Sequence, residues 1–284
     1  CIRDSSQFTS KQVSVSLSAD GGDEFFSGYN KYFTTLKWYS RFRGLPLRSF
    51  IKELASNIQP HQVPFSRLID DFQSQYTHLT GVLFADEITE ALRNKQRVFS
   101  PSEIRYLLGR NAVTTSTAFD RYGEFEPHVN ELNRLLAIDT LTYLPDDILA
   151  KVDRATMAFS LEGREPLLDH RIIEFTARLP TDLKAPSLNP KYLLKQIAHK
   201  YIPRPLLDRP KAGFGIPVSQ WLRGPLREIL DHYVSHQFLS EQGVFDSERL
   251  MAEKARFIEQ ENYSSNRLWT ILVFQMWYEK WMSN

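Results

Sequence analysis

An alternating strand that runs into an acidic, glycine-containing turn constrains this chain more than any other feature. Residues 13 to 18 alternate apolar and polar at period two, which predicts a β-strand. Directly after it, the segment Asp20-Gly21-Gly22-Asp23-Glu24 places three carboxylates within five residues. The glycines permit a tight turn with exposed backbone amides. The segment from Leu17 to Tyr29 therefore predicts a binding turn at the end of a strand.

The carboxylates of this turn suit a divalent cation next to phosphate. Mg²⁺ typically takes one or two protein carboxylates and fills its other positions with phosphate oxygens and water, so Asp20 and Asp23 are candidate ligands. Alternatively, one of the two carboxylates acts as a base. A structural alternative is that Asp20 only caps a helix that begins near Asp23.

Almost everything after the turn has the periodicity of helices, which predicts a mainly α chain with a small α/β part. Asp169 is the expected N-cap of a helix that ends before Pro180. Residues 60 to 127 contain shorter patterns and no motif. The predicted helices are 31–42, 48–58, 86–93, 102–109, 131–143, 145–157, 170–178, 191–200, 247–260 and 267–281.

A second cluster of chemistry lies in residues 209 to 217, Arg-Pro-Lys-Ala-Gly-Phe-Gly-Ile-Pro. Its composition is typical of a flexible loop that carries a phosphate-binding lysine, here Lys211. Surface loops also combine lysine and glycine often, so this loop is a weak signal by itself. Together with an acidic turn of the Mg²⁺ type, it indicates pyrophosphate chemistry.

A third cluster is the charged stretch from Asp146 to Arg154, followed by the charged segment 162 to 169. On a helix, Asp147, Lys151 and Arg154 fall on one side at spacings of four and three residues. Most such ladders are solvated, but the apolar residues that follow suggest a partly buried network here. Such a network is either purely structural or supports a site.

Charge and composition narrow the classes of partner. The 35 basic and 34 acidic residues leave a net charge of +1. This charge gives no broad basic surface, so we expect the protein to bind neither nucleic acid nor an anionic membrane. No apolar run approaches the length of a membrane span, and the first residues do not resemble a signal peptide. The single cysteine, Cys1, fits a reducing compartment. We therefore expect a cytoplasmic protein.

Three blocks resemble the synthetase domain of the glutamine-hydrolysing asparagine synthetase family. They are LSADGGDEFFSGY, LPDDILAKVDRATMAFSLEGREPLLDHR and DRPKAGFGIPVSQWLRG, and they span Leu17 to Gly224 in this order. The resemblance implies that residues 1–284 form the C-terminal part of a pyrophosphatase-loop, adenine-nucleotide alpha-hydrolase-like synthetase domain. It also implies that this part is mostly helical.

The resemblance implies a two-step reaction with ATP and Mg²⁺. ATP adenylates the side-chain carboxylate of aspartate and releases pyrophosphate, and ammonia then attacks the acyl-adenylate to give asparagine and AMP. In the family, the ammonia derives from glutamine. The first step needs cations that spread phosphate charge, and the second needs a base.

The resemblance also assigns roles to individual residues. Ser18 and Ala19 match positions where the backbone contacts the nucleotide, and Gly21 and Gly22 belong to the same binding turn. Asp20 matches the acidic position tied to intermediate formation and ammonia deprotonation.

The resemblance assigns the remaining residues either to binding of metal and phosphate or to support of the site. Asp23 matches the carboxylate that binds the metal and pyrophosphate, and Lys211 matches the loop lysine that grips the phosphates. Five further residues fall on family positions as supporting residues: Glu24, Tyr29, Arg154, Glu162 and Arg164.

Two departures from the family pattern leave alternatives open. The family usually has glycine at position 19 and often glutamate at position 20, whereas this chain has Ala19 and Asp20. The amidated carboxylate could therefore belong to a sugar acid in polysaccharide assembly or to a β-lactam precursor. A third hypothesis is a non-catalytic helical remnant that serves interaction.

The Ser-Gly-Gly-x-Asp-Ser loop that holds ATP in the family does not occur in these residues. The resemblance places it upstream of Cys1, together with the glutaminase domain, so we expect these residues alone to be inactive and to bind ATP poorly. Cys1 itself is expected to be a small, half-buried residue in a helix before the strand, not a nucleophile. A homodimer is left open.

Overall fold

The computed structural model describes residues 2–56, 72–109, 113, 116–117, 119–120, 128–208, 215–261 and 263–282. Cys1 and Lys211, two residues of the sequence-based hypotheses, lie outside these residues. The chain divides into two compact units. The first comprises Cys1–Arg41, Asp86–Leu92 and Ser116–Lys211, and the second comprises Phe42–Ala85, Arg93–Thr115 and Ala212–Asn284.

The first unit contains a two-stranded parallel sheet. Strand β1, Val15–Leu17, pairs with strand β2, Glu162–Arg164, in the register Val15 to Glu162 and Leu17 to Arg164. The α-helices that lie wholly in this unit are Ile2–Ser10, Gly22–Phe25, Glu131–Leu141, Ala150–Met157, His170–Arg178, Thr181–Lys184, Tyr192–Ala198 and Arg204–Leu207. Shorter elements are the π-helix Leu144–Leu149 and the 3₁₀ turns Pro166–Leu168 and Pro186–Leu188.

The second unit is helical in its described residues. Its α-helices are Arg48–Ser56, Phe72–Phe84, Pro101–Leu108, Val218–Arg223, Arg227–Tyr233, His236–Gln242, Ser247–Glu259 and Ser265–Met282. Two further helices, Asn30–Arg43 and Ile88–Gln96, continue from residues of the first unit into residues of the second. The core of this unit is formed by buried apolar side chains, among them Leu222, Leu230, Leu250, Phe257 and Leu268.

The prediction of a mainly helical chain with a small α/β part is confirmed for the described residues. The predicted strand 13–18 is shorter, because only Val15–Leu17 pairs with β2. Asp169 caps the helix His170–Arg178 as expected, since its Oδ1 accepts a hydrogen bond from the backbone N–H of Arg171 at 2.9 Å. The pyrophosphatase-loop fold itself stays a prediction.

A small apolar core in the first unit lies under the acidic turn. Phe25, Phe26 and Leu144 are buried there, and Leu168 and Leu194 pack against them. The turn and the segment after β2 therefore pack on the same apolar core. Along the described part of the chain, no helix has the length and apolar character needed to cross a membrane.

Lys184 is a buried cation in the first unit, and its burial should lower the free energy of unfolding. Its side chain donates to Asn133 Oδ1 at 2.8 Å, the residue is 3% exposed, and burial lowers its pKa to about 8 from the usual 10.5. Because the folded-state pKa lies below the unfolded one, the cost of the buried charge is fully present below pH 8. The cost disappears as the pH rises from 8 to 10.5.

We therefore expect Lys184→Met to raise the free energy of unfolding at pH 7 by about 1–2 kcal/mol. The variant no longer pays for burying a charge, but it loses the hydrogen bond to Asn133. Urea denaturation at pH 7 and pH 9.5 measures this effect, with Lys200→Met, an exposed lysine, as control. The gain should shrink at the higher pH. A Lys184→Met variant less stable than the wild type at pH 7 would contradict this account.

Candidate functional site

The two parallel strands bring distant parts of the sequence to one edge of the sheet. The chain leaves β1 through Ser18 and leaves β2 through Glu165, and the backbone N–H of Ser18 donates to the carbonyl of Arg164 at 2.9 Å. The carboxyl ends of parallel strands are where open α/β sheets bind ligands. The acidic turn therefore lies beside the segment that follows β2.

The shape of the acidic turn depends on Gly21. Its φ of +87° lies in the left-handed region, and a Cβ atom there would meet Leu168 Cδ2 at 2.6 Å and the Phe25 ring at 2.8 Å. Both the backbone conformation and the space thus require glycine. The helix after it begins at Gly22 with Gly21 as its N-cap and no side-chain cap. The structural alternative that Asp20 caps this helix is therefore wrong.

Asp20 instead belongs to a cluster with Glu165. Ser18 Oγ donates a hydrogen bond to Asp20 Oδ2 at 2.6 Å. The pKa of Glu165 is raised, chiefly by burial and further by the negative charges of Asp20 and Asp153. A carboxyl group whose pKa is raised by burial and by nearby carboxylates is a candidate for proton transfer or for binding a cation. Glu165 was not among the sequence-predicted site residues, and only its place in the charged segment after β2 hinted at it.

Asp23 is held by a lysine that sequence reasoning did not select. Lys191 Nζ lies 3.0 Å from Asp23 Oδ2, and the two side chains are 34% and 24% exposed. Both cross over Gly28, where an added Cβ would lie 1.9 Å from Asp23 Oδ1 and 2.4 Å from Lys191 Cε. Gly28 therefore leaves the space that this ion pair occupies.

Glu24 and Tyr29, two predicted supporting residues, contact each other. Tyr29 Oη donates to Glu24 Oε1 at 2.8 Å, and Glu24 is 1% exposed. Burial raises the pKa of the Glu24 carboxyl, and the hydrogen bond from Tyr29 opposes this rise. Burial and the nearby Glu24 also raise the pKa of Tyr29. The pair fixes the backbone between the turn and the next helix.

A partly buried cation lies beside this pair and was also missed. Lys31 Nζ lies 2.5 Å from Asp139 Oδ2, which also accepts a hydrogen bond from Tyr32 Oη at 2.7 Å. The ammonium lies 4.0 Å from the centroid of the Tyr143 ring and 4.8 Å from that of Tyr29, within range of cation–π attraction. Asp139 is fully buried. In the sequence, only the tyrosine-rich composition around Lys31 pointed to such a cluster.

The remaining supporting residues lie at the surface. Arg164 Nε and Glu162 Oε1 are 2.7 Å apart on β2, with both side chains more than half exposed. Arg154 is exposed on its helix. None of these three contributes to the buried network around Asp139.

The charged ladder predicted around residue 150 is solvated. Asp147 and Lys151 form an ion pair at 3.6 Å, but their side chains are 53% and 49% exposed, so the expected partly buried network is wrong here. Asp147 lies in the π-helix Leu144–Leu149, where a single α-helix starting at Pro145 was predicted. Tyr143, next to this π-helix, contacts the Lys31 ammonium with its ring.

The donor set fits a Mg²⁺ ion of the kind that nucleotides carry. In the described ranges, no group of three or more His, Cys, Asp or Glu side chains is placed to hold a metal ion by itself. Asp20 and Asp23 supply carboxylates three residues apart on one turn. One or two carboxylates suffice when phosphate oxygens and water complete the coordination shell.

Comparison with known proteins assigns the chain to a class. The family model described as asparagine synthase matches residues 4–279. The chain therefore belongs to the asparagine synthase family. This confirms the resemblance found in the three sequence blocks.

Individual relatives agree with this assignment. Asparagine synthetase (glutamine-hydrolysing) 1 of Bacillus subtilis is 26% identical over 292 residues, which cover 94% of this chain and 40% of that protein. A Mycobacterium tuberculosis relative that also carries an asparagine synthetase name is 30% identical over 278 residues, covering 94% of this chain and 39% of that protein. The chain thus spans about 40% of the length of the curated relatives it matches. No solved structure matches it significantly.

Proposed function

We propose that these residues belong to an enzyme that uses ATP to convert a carboxylate into an amide. The observation that carries the proposal is the meeting of the two strand ends, which brings the acidic turn with Asp20 and the Asp23–Lys191 pair beside the segment that follows β2. Membership in the asparagine synthase family and the similarity to proteins named asparagine synthetase support the same chemistry.

In the proposed first step, a carboxylate oxygen of the substrate attacks the α-phosphorus of ATP, and pyrophosphate leaves. Mg²⁺, held by Asp20 or Asp23 together with phosphate oxygens, would supply positive charge that offsets the phosphates. Lys211 would add a second cation from its loop. Ala19, which is exposed at the start of the turn, would contact the nucleotide through its backbone.

In the proposed second step, ammonia attacks the carbonyl carbon of the acyl-adenylate, and AMP leaves with the oxygen that bonded phosphorus. Nitrogen must lose a proton in this step, and Asp20 would be the base that accepts it. The neighbouring Glu165, whose pKa is raised by burial and by the negative charge of Asp20, is a second carboxyl group beside this position. The ammonia would come from glutamine, through a glutaminase segment elsewhere in the protein.

The proposed acceptor is the side-chain carboxylate of aspartate. The test is pyrophosphate release by the complete protein with ATP, Mg²⁺, ammonia and one carboxylate at a time: aspartate, a sugar acid or a β-amino acid precursor of a β-lactam. Release that depends on aspartate supports asparagine formation. Release with a different carboxylate only would replace aspartate as the substrate, and release with none would favour a non-catalytic protein. Lys211→Ala should abolish release in every case.

A further inference from the structure

We propose that the second unit contains a binding site for a phosphate-type anion, at the beginning of the helix Ser265–Met282. A cavity of about 170 Å³ lies there. This volume is several times what one water molecule needs, so the cavity can hold a polyatomic anion. Its lining residues belong to the second unit, and the basic ones are His78, Lys95, Arg97 and Arg267. The site therefore goes beyond the proposed amide-forming reaction at the acidic turn of the first unit.

The N-terminal end of a long helix borders this cavity. Ser264, Asn266 and Arg267 line it, and the helix that begins at Ser265 is 18 residues long. The first N–H groups of a helix have no partner within the helix, and its dipole favours negative charge at this end. An anion in the cavity would therefore be attracted by the helix as well as by the basic side chains.

Ser264 gives an independent reason to expect a ligand. The residue is only 6% exposed, and it lines the cavity just before the helix begins. Among the residues that the structure describes, its hydroxyl has no hydrogen-bond partner. Polar side chains that are so deeply buried normally have a partner. An oxygen of a bound anion would accept the hydrogen bond that this hydroxyl can donate.

The guanidinium of Arg97 is oriented by contacts within the second unit. Its Nη1 donates to Asn94 Oδ1 at 2.7 Å, and Asn94 Nδ2 donates to the carbonyl of Gly81 at 2.9 Å. A Cβ atom at Gly81 would lie 2.7 Å from Asn94 Cβ, so the glycine permits this close approach. Arg97 is thus connected to the helix Phe72–Phe84. Because arginine has five N–H donors, it can bind a ligand in addition to its protein partners.

Lys95 and Arg267 contribute to the cavity in different ways. Arg267 is buried, and its charge is balanced by Glu103 Oε1 at 2.7 Å from Nη1 and by Glu253 Oε2 at 3.4 Å from Nε. Burial lowers the pKa of Lys95, so its charged form is costly, and a nearby anion would stabilise it. We therefore expect Lys95 and Arg97 to supply the positive charge that the ligand meets.

The donor set favours phosphate over a carboxylate. The lining residues come from three segments, which are residues 77–78, 95–98 and 264–267. Donors from three segments suit the tetrahedral oxygens of phosphate better than the two coplanar oxygens of a carboxylate. Lysine, arginine, a hydroxyl and a helix N-terminus are also the groups that commonly bind phosphate in proteins. Inorganic phosphate is therefore the probe for this site.

The test is hydrogen exchange of the complete protein at increasing concentrations of inorganic phosphate. Phosphate should slow exchange in the segments that line the cavity. Lys95→Met should raise the phosphate concentration needed for half-maximal protection by about tenfold or more, because a charge-assisted hydrogen bond is lost. Ser264→Ala should raise it by about threefold or more. Lys280→Met, an exposed lysine near the other end of the same helix, should leave it unchanged.

A purely structural role of the basic residues gives a different result. In that case phosphate does not protect these segments even in the wild type, and the proposal is overturned. Wild-type protection in both Lys95→Met and Arg97→Gln would overturn it as well, and so would protection by aspartate without protection by phosphate. If Lys95→Met does not fold, Arg97→Gln gives the same readout. Phosphate that binds only at the acidic turn would protect residues 19–24 instead, so the result is independent of the amide-forming proposal.

Discussion

Asp139→Leu is expected to lower the free energy of unfolding by about 3–5 kcal/mol, the largest effect on stability that the structure predicts. Asp139 is fully buried. Its Oδ2 forms an ion pair with the Lys31 ammonium and accepts a hydrogen bond from the Tyr32 hydroxyl. Removing the carboxylate leaves a largely buried positive charge without its counter-ion and a buried hydroxyl without its acceptor.

Urea denaturation of the single and double variants measures this effect. Adding Lys31→Met to Asp139→Leu should restore part of the lost stability, because the uncompensated cation is then gone as well. The matched control is Asp147→Leu, whose ion pair with Lys151 is about half exposed and should contribute less than about 1 kcal/mol. Equal losses in Asp139→Leu and Asp147→Leu would contradict the described network.

Asp20→Asn is expected to reduce the rate of amide formation by about a hundredfold to ten-thousandfold, the range that a general base usually contributes. Asparagine preserves the size of the side chain and can still accept the hydrogen bond from Ser18, but it cannot take a proton from ammonia. The measurement is the steady-state rate of AMP formation in the complete protein at saturating substrates.

Glu174→Gln serves as the control for this variant, since Glu174 is an exposed carboxylate on the helix His170–Arg178, away from the acidic turn in the sequence. Its rate should stay near that of the wild type. Removal of the Asp20 charge should also lower the pKa of Glu165, which burial and Asp20 together raise. A wild-type rate in Asp20→Asn would show that the base is another group.

The sequence was informative wherever local chemistry determines structure. Alternation from residue 13 predicted β1, the glycines predicted the turn, and Asp169 was correctly expected as an N-cap. These features depend on residues that are neighbours in the chain. The family resemblance, carried by three long blocks, was confirmed by the match to residues 4–279.

Contacts between distant residues could not be read in the same way. Nothing local in the segment before the helix Tyr192–Ala198 indicates that Lys191 reaches Asp23, because that contact depends on a left-handed backbone and on the space above Gly28. Pairing of β1 with β2 likewise decides that Glu165 lies near Asp20.

Charge patterns misled where burial decides their meaning. The spacing of Asp147 and Lys151 predicted a ladder, but the sequence does not reveal that the pair faces solvent. An ion pair that is largely shielded from solvent is instead formed by Asp139 and Lys31, which lie among tyrosines that contribute ring faces and hydroxyl groups.

The central claim is that a carboxylate is activated by transfer of AMP at the acidic turn. The most direct measurement uses the carboxylate that best supports pyrophosphate release, labelled with ¹⁸O in both carboxyl oxygens, and follows the label after turnover with ammonia. The account predicts one ¹⁸O atom in AMP and one in the amide product. Label in inorganic phosphate together with ADP, or AMP without label, would contradict it.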